Sequence, residues 1–537
     1  MEQIVDRLKV THYDKARGQV ELSQGFSEEK YLWNEDFHPT PLRLRNWGPL
    51  TYASLWFSMV AIVPTWALAV SGLALGLNWI QSLFIVFLGN AIVLIPMIIQ
   101  SHAGARYGIA EPQLTRVRWG VYGAIIPSWI RAIIGMGWWG IESYIIAEAS
   151  VAMYLVASNR ASLLTSANAY SLALTYPHLF WITFSIVILA QILVYYFSPP
   201  TKAQPAMKAL ANVSAPIILA SYIYLFIYTM NLAHWNFAPI MEIPTRVSGL
   251  DYWLTVIAFL NANIAYWATM ALSMPDYTRF AKSQKAHILG QVWMPFMMLG
   301  IATLGTFSVG ATMALGVNHG EGIQDPIILT AVLLPGITKY LVLFGIILAT
   351  FVVNVFANAA APGYDIANSF PKRLSWFKGI LIGILIGTLL GAWTFYAKGA
   401  YSYITNWLLT YGTVLGAVEG IIIFDYAIIR RFKFDLADVF LSNGRYKYWK
   451  GVNPAAIISF VIAAIVTYLY YWHIIVNPIT QLLFENSWLS AFLISGVVYI
   501  ILMALWIIPK YQPDLKGNLL RGYYSQDTIV VFNLKQK

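Results

Sequence analysis

Twelve stretches of this 537-residue chain are each long and apolar enough to form a helix that crosses a lipid bilayer. Nothing else in the sequence restricts the fold as much. A hydrocarbon layer of about 30 Å needs about 20 apolar helical residues. Inside it every backbone polar group must be paired within the protein, which leaves helices as the spanning element. The stretches lie near 50–76, 78–100, 122–156, 178–197, 206–231, 253–274, 288–316, 337–361, 377–396, 403–427, 452–473 and 486–508. The third is too long for one span, and its first part, around Ile126-Pro127, is expected to approach from the surface. The composition agrees: 58% of residues are hydrophobic and only 11% charged, against about 45–50% and about 25% in soluble domains. A soluble chain could not hide that much apolar surface. An ordinary cytosolic enzyme, a disordered protein and a nucleic-acid binder are all excluded.

Lys and Arg fix an expected orientation. The loops after stretches 2, 4, 6, 8 and 10 hold 17 of them, and the alternate loops hold 4. The first 48 residues add seven and the segment after the twelfth stretch adds five, all on the richer side if both termini are inside. The net charge of +10 is then mostly an inner-surface charge. The polar first 48 residues read as a cytoplasmic arm rather than a signal peptide. Residues 49–508 read as a single twelve-helix membrane domain and 509–537 as a cytoplasmic tail. The largest internal loop, about 428–451, is too short for a further domain. The expected location is the plasma membrane.

The chain has no cysteine, and its eight histidines form no HxxxH or HExxH pair. Thiolate sites, cysteine nucleophiles and an obvious metal-ligand set are therefore missing, as is a Walker motif. No cofactor is expected. A membrane enzyme would need a convergent nucleophile and base or metal ligands, and the sequence offers neither.

Polar residues inside apolar stretches are costly unless they line a cavity or pair with one another. Pro64 interrupts the first stretch within AIVPTW. It marks either a plain kink or a break that exposes backbone dipoles at mid-depth. In the third stretch, GMGWWGIESY, Trp138 and Glu142 are four apart and share a helix face. An aromatic plane beside a carboxylate suits a flat heterocycle: the ring stacks, and the carboxylate accepts its N–H bonds. The sixth stretch places Asn261, Asn263 and Tyr266 in its interior, and Tyr266 with Trp267 offers either core packing or a second aromatic plane. The eighth carries Asn354 and Asn358, again four apart, suited to an amide-like ring edge or to interhelical hydrogen bonds. Glu419, in the tenth, is a second intramembrane acid, placed to pair with the basic loop that follows. Many spans, an interrupted first helix and a few aromatic, amide and acidic groups at mid-depth are what a secondary transporter needs.

Several segments resemble the nucleobase–cation symport-1 family of hydantoin, allantoin, uracil and purine permeases. NEDFHPTPLRLRNW (Asn34 to Trp47) is similar to that family's opening motif. The resemblance continues through GARYGIAEPQLTRVRWGVYGAIIPSWIRAIIGMGWWGIESYI, SMPDYTRFAKSQKAHILGQ, NVFANAAAPGYDIAN and GIIIFDYAIIRR. These matches run in order from residue 34 to about 431. The resemblance implies an all-α membrane protein with twelve transmembrane helices. It also implies five-plus-five inverted repeats (about 49–231 and 253–427) and two extra helices (452–508), as in sodium-driven amino-acid transporters. The substrate site it implies lies between spans 1, 3, 6 and 8. There Trp138 and Tyr266 sandwich the ring, and Asn358 reads its edge. The family's span 3 Gln falls on Glu142, a span 6 Gly on Ala265, and a span 1 Gln on Ile62.

Two departures shape the functional expectation. Glutamate at 142 resembles members that carry uracil and purines, favours substrates presenting adjacent N–H donors, and can take up and release a proton. In sodium-coupled members, carbonyls of spans 1 and 8 are joined by two span 8 hydroxyls. Those carbonyl positions fall on Ser58, Ala61 and Ala349, and the hydroxyl positions on Val352 and Val353. Valine has no oxygen to offer sodium, although Thr350, one turn away, keeps a hydroxyl nearby. The expectation is a monomeric, proton-coupled importer of uracil or a purine, with Glu142, Glu419 and Asn354 as coupling residues. The alternative is an allantoin, hydantoin or vitamin (thiamine, pyridoxine) permease.

Overall fold

A computed structural model describes residues 11–14, 16–22, 25, 29, 31–164, 172–398 and 403–513. The expected tail from 514 onward lies outside the described residues. Two short strands, β1 (Thr11–Asp14) and β2 (Gln19–Leu22), pair antiparallel with Thr11 opposite Leu22. The rest is helical. In chain order the main helices begin with α1 (Pro49–Val60), α2 (Val63–Ala74), α3 (Trp79–Tyr107), α4 (Glu111–Trp119), α5 (Ile125–Ala157), α6 (Pro177–Tyr196), α7 (Pro205–Leu232) and α8 (Gly249–Tyr266). They continue with α9 (Gln284–Ala314), α10 (Pro326–Leu333), α11 (Thr338–Ala367), α12 (Trp376–Phe395), α13 (Asn406–Ile429), α14 (Pro454–Tyr468) and α15 (Ser487–Tyr511).

Among the described residues, nine helices are long and apolar enough to cross a membrane, and α1 with α2 makes a tenth pass bent by 57°. The two remaining apolar stretches are occupied by α8 and by the 15-residue α14. Leucines stand out from the bundle on several helices, among them Leu189 on α6 (62% exposed), Leu389 on α12 (77%) and Leu505 on α15 (78%). Exposed apolar side chains on so many outward faces are a lipid-facing surface.

The first pass breaks at Ala61 (φ −81°, ψ 68°) and Ile62 (φ −129°, ψ 165°), not at Pro64. Pro64 instead sits in the first turn of α2, where its missing N–H costs nothing. A second interruption follows α8: the chain turns at Trp267 and continues in short helical turns, Ala268–Ala271 and Met274–Thr278. Between Asn354 and Ala360, α11 widens into a π-helical segment. The third stretch is one continuous 33-residue helix with Pro127 in its first turn, so the part around Ile126-Pro127 is the opening of that helix and not a separate element. At about 1.5 Å per residue it is roughly 50 Å long and overshoots the bilayer core. The surface-type element is α4, which ends at Trp119.

The described residues among the first 48 are seated on the bundle. Gln19 Nε2 donates to the carbonyls of Ala105 (3.0 Å) and Ala281 (2.9 Å). Arg45, 2% exposed, donates to Thr40 O and Val20 O. Asn34 Nδ2 donates to Pro371 O (2.6 Å) and Leu374 O (2.9 Å), and Asp36 accepts from the Trp376 N–H that opens α12. The arm thus joins three loops on the Lys/Arg-rich face and pairs helix-end backbone groups that would otherwise be orphaned.

Candidate functional site

The two helix breaks and the π-segment meet one face of α5, and a small cavity lies where they meet. It is lined by Ile62 from the first break, Trp138 and Glu142 from α5, and Tyr266 and Trp267 at the end of α8. Thr269 and Met270 from the following turn, and Val353, Ala357 and Asn358 from α11, complete it. Five of the six substrate residues expected from the sequence therefore come together. The sixth, Ala265, does not line the cavity, and its carbonyl accepts from Tyr411 Oη at 2.8 Å. Sequence reasoning missed Thr269, Met270 and Ala357. The signal for the first two was their place just beyond Tyr266, where an interrupted helix turns its next residues inward.

The free space is about 20 Å³, room for a water molecule and not for a heterocycle. The reason is the aromatic pair. Trp138 and Tyr266 touch edge to face, with centroids 5.4 Å apart and planes at 71°. A ring stacked between them needs two parallel gaps of about 3.5–4.0 Å. The expected sandwich is thus closed in this conformation, and one of the two rings must swing aside to open it. The Tyr266 hydroxyl is held to Thr65 Oγ1 on α2 at 3.0 Å, and Trp138 Nε1 donates to Tyr411 Oη at 3.2 Å. Both anchors tie α5 and α8 to neighbouring helices.

Glu142 is 1% exposed, and its Oε2 has no hydrogen-bond partner. A buried carboxyl oxygen without a donor is costly, so this group calls for a substrate N–H or a proton. The two asparagines form a relay at the start of the π-segment. Asn358 Nδ2 donates to Asn354 Oδ1 (3.1 Å), and Asn354 Nδ2 donates to Ser143 Oγ (2.9 Å) and the Trp139 carbonyl (3.3 Å). Asn358 thus lines the cavity, while Asn354 stands behind it and ties α11 to α5. Of the two uses left open by the sequence, the interhelical hydrogen bonds are present.

At the sodium-type positions the structure offers few side-chain oxygens. Val352, Ala349 and Ala61 are fully buried, and Val353 turns its side chain to the cavity. Thr350 Oγ1 donates to its own helix at Ile346 O (3.0 Å), and Ser58 Oγ bonds to Ala211 O and Ser214 Oγ on α7. Glu419 does not reach the cavity, and its hydrogen-bond donor is not in the loop that follows. It is fully buried on α13 and accepts from Gln100 Nε2 at 3.3 and 3.4 Å.

Toward the Lys/Arg-rich face a layer of buried charge closes the bundle. Arg131 Nη1 meets Asp365 Oδ2 at 2.9 Å, joining α5 to α11, and Arg131 Nε reaches the carbonyl of Thr269. Arg118 and Arg430 flank Asp425 at 3.7 and 2.6 Å. Asp276 Oδ1 accepts from the Glu111 N–H that opens α4. Burial pushes the Glu111 carboxyl up to about 7, opposed by Arg118 and the Thr115 hydroxyl.

A family model described as "Permease for cytosine/purines, uracil, thiamine, allantoin" matches residues 39–490. The chain is 32% identical over 490 residues to the purine-uracil permease NCS1 of Arabidopsis thaliana, covering 89% of this chain and 80% of that one. It is 28% identical over 494 residues to the allantoin permease of Bacillus subtilis, covering 90% and 96%. Among solved structures it is similar to Mhp1, a nucleobase-cation-symport-1 family transporter, in a closed conformation with bromovinylhydantoin bound. That likeness has a TM-score of 0.71 at 21% identity and covers 92% of this chain and all of that one.

Proposed function

Since the chain belongs to the family of permeases for cytosine/purines, uracil, thiamine and allantoin, we propose that it imports uracil or a purine by proton symport across the plasma membrane. In this reading the Lys/Arg-rich face and both termini are cytoplasmic, and all twelve apolar stretches cross the bilayer as two inverted repeats plus two helices. The observation that carries it is Glu142, a buried carboxyl with an unpartnered oxygen on the wall of the cavity. From the outward-open state the base enters between Trp138 and Tyr266 once one of the two rings has swung aside. Asn358 and Glu142 bind its edge, Asn354 holds Asn358 in place, and a proton neutralises Glu142. The Arg131–Asp365 layer then parts as one helical group rocks against the other. The valines at 352 and 353, and the Thr350 hydroxyl bonded to its own helix, argue against a sodium ion there. The second reading, an allantoin or hydantoin carrier, is favoured by the Bacillus subtilis relative.

Proteoliposomes separate these. Uptake of radiolabelled uracil, adenine, guanine and allantoin is measured under a proton gradient and then a sodium gradient, with Glu142→Gln in parallel. The expected result is proton-driven accumulation of a base, lost in Glu142→Gln. Accumulation driven by sodium alone would refute the coupling assignment. Uptake of allantoin without the three bases would move the assignment to the second reading.

A further inference from the structure

A second set of titratable groups lies on the other side of the cavity from the charged layer. Glu148 follows Glu142 by six residues on α5, about 9 Å further from the Lys/Arg-rich face. It is 1% exposed, and its Oε1 has no hydrogen-bond partner. Asp325 precedes α10, and α10 packs on α5. Its Oδ1 caps that helix by accepting from Ile327 N–H at 2.8 Å, while its buried Oδ2 has no partner. The two acids lie within electrostatic range of each other. Tyr222, on α7, is fully buried, and its hydroxyl has no partner either. That hydroxyl is within electrostatic range of both Glu142 and Asp325. Three buried oxygens without a hydrogen-bond partner therefore lie within electrostatic range of one another or of Glu142.

We propose that Glu148, Asp325 and Tyr222 form a proton-uptake site that loads Glu142 from the face opposite the Lys/Arg-rich one. This rests on the proton-symport reading above and adds the route. The transfer balances without a redox partner. The O–H bond of the protonated acid pair breaks as Tyr222 accepts that proton. The O–H bond of Tyr222 breaks in turn as Glu142 becomes a carboxylic acid. The acid pair is then reloaded from the aqueous side, with water bridging any gap longer than a hydrogen bond.

No cation on the surrounding elements substitutes for the proton. On α5 the other titratable groups are Tyr144, Tyr154 and, beyond the cavity, Arg131, which is paired with Asp365 in the charged layer. The first turn of α11 brings Lys339 and Tyr340, the turn before residue 161 brings Arg160, and α6 brings the exposed His178. Among the described residues none of the basic groups forms an ion pair with Glu148 or Asp325, and no group of three or more His, Asp or Glu side chains is placed to hold a metal ion. Burial pushes the Asp325 carboxyl up to about 6, within the range where a proton is exchanged near neutral pH.

The test uses Glu148→Gln, Asp325→Asn and Tyr222→Phe in the full chain. Asparagine keeps the helix cap and phenylalanine the ring, so the fold is spared. First, the carboxyl infrared band of the purified protein is titrated against pH, which needs no substrate. A component titrating near pH 6 in the wild type should vanish in Asp325→Asn and shift in Glu148→Gln. Second, proteoliposomes are assayed with labelled uracil, adenine, guanine and allantoin for counterflow without a gradient and for accumulation under a proton gradient. All three variants should keep counterflow and lose accumulation. Full accumulation in Glu148→Gln and Asp325→Asn, or an unchanged infrared titration, overturns the proposal. If the wild type itself shows no proton-driven accumulation, the transport reading fails instead, and the infrared titration alone decides whether this is a protonation site.

Discussion

Replacing Asn354 with leucine tests whether the second asparagine positions the first. The side chain is fully buried and makes three neutral hydrogen bonds, to Ser143 Oγ, the Trp139 carbonyl and Asn358 Nδ2. Leucine is close in volume but cannot pair. Two groups, Ser143 Oγ and Asn358 Nδ2, then lose this partner inside the bundle, at about 1–3 kcal/mol each. Burying the extra apolar surface returns about 1.5–3 kcal/mol. The net loss of stability is therefore roughly 1–3 kcal/mol, enough to measure and too small to unfold a protein of this size. The transport effect has a different origin. Asn358 is freed to turn away from the cavity, and a misdirected amide costs about one hydrogen bond, near 1.4 kcal/mol or about tenfold in affinity. The assay is saturation counterflow in proteoliposomes beside thermal unfolding in detergent. The expected outcome is a KM raised about tenfold. In Ser143→Ala the Asn354 amide keeps its bond to Trp139 O, so the shift should be smaller. A folded Asn354→Leu protein with unchanged KM would refute the positioning role.

Other outcomes follow from the same structure. Gly305→Ala should fail to fold well, because a Cβ there would lie 2.1 Å from the Trp66 carbonyl oxygen, where α9 crosses α2. Overpacking of that kind costs about 1–3 kcal/mol or more, and detergent size-exclusion profiles will show it. Arg131→Met strands Asp365 in the charged layer and should destabilise by about 3–5 kcal/mol, while Arg131→Met with Asp365→Leu should recover much of the loss. No recovery in the double variant would mean the pair is not the relevant partner. Glu111 is an acid raised to about 7 by burial, so its folded form holds a proton that the unfolded chain has released. Its contribution to stability is present below about pH 4.5 and is lost as pH rises toward 7. Glu111→Gln should flatten the fall in melting temperature across that window, and an unchanged slope would refute it.

The spacing of four between Trp138 and Glu142, and between Asn354 and Asn358, was legible because helix geometry turns it directly into a shared face. The position of the first break was not, because proline disrupts the turn before it only when it lies mid-helix. Pro64 begins a helix, and the irregular backbone falls on Ala61 and Ile62, whose side chains give no signal. Glu419 was read against its neighbours in sequence, whereas its donor Gln100 lies on α3, brought there by packing alone. The closed aromatic pair was equally hidden: residue types name a sandwich, but only the fold sets the angle between the rings. Glu148 sat in plain view among the apolar residues of α5. Its meaning came from Asp325 and Tyr222, which approach it from elsewhere in the chain.

The stitched arm on the Lys/Arg-rich face has a consequence in time. Gln19 reaches a carbonyl 262 residues later in the chain, and Asn34 one 340 residues later. Translation proceeds at about 5–20 residues per second, so Asn34 waits roughly 17–70 s before its acceptor has been made. During that interval helix after helix is handed to the bilayer while Asn34 has no acceptor, although Gln19 can already reach the Ala105 carbonyl. Asn34 is made long before the loop that holds it, so a protease that cuts near Asn34 during biogenesis reports on whether the 371–374 loop has been assembled.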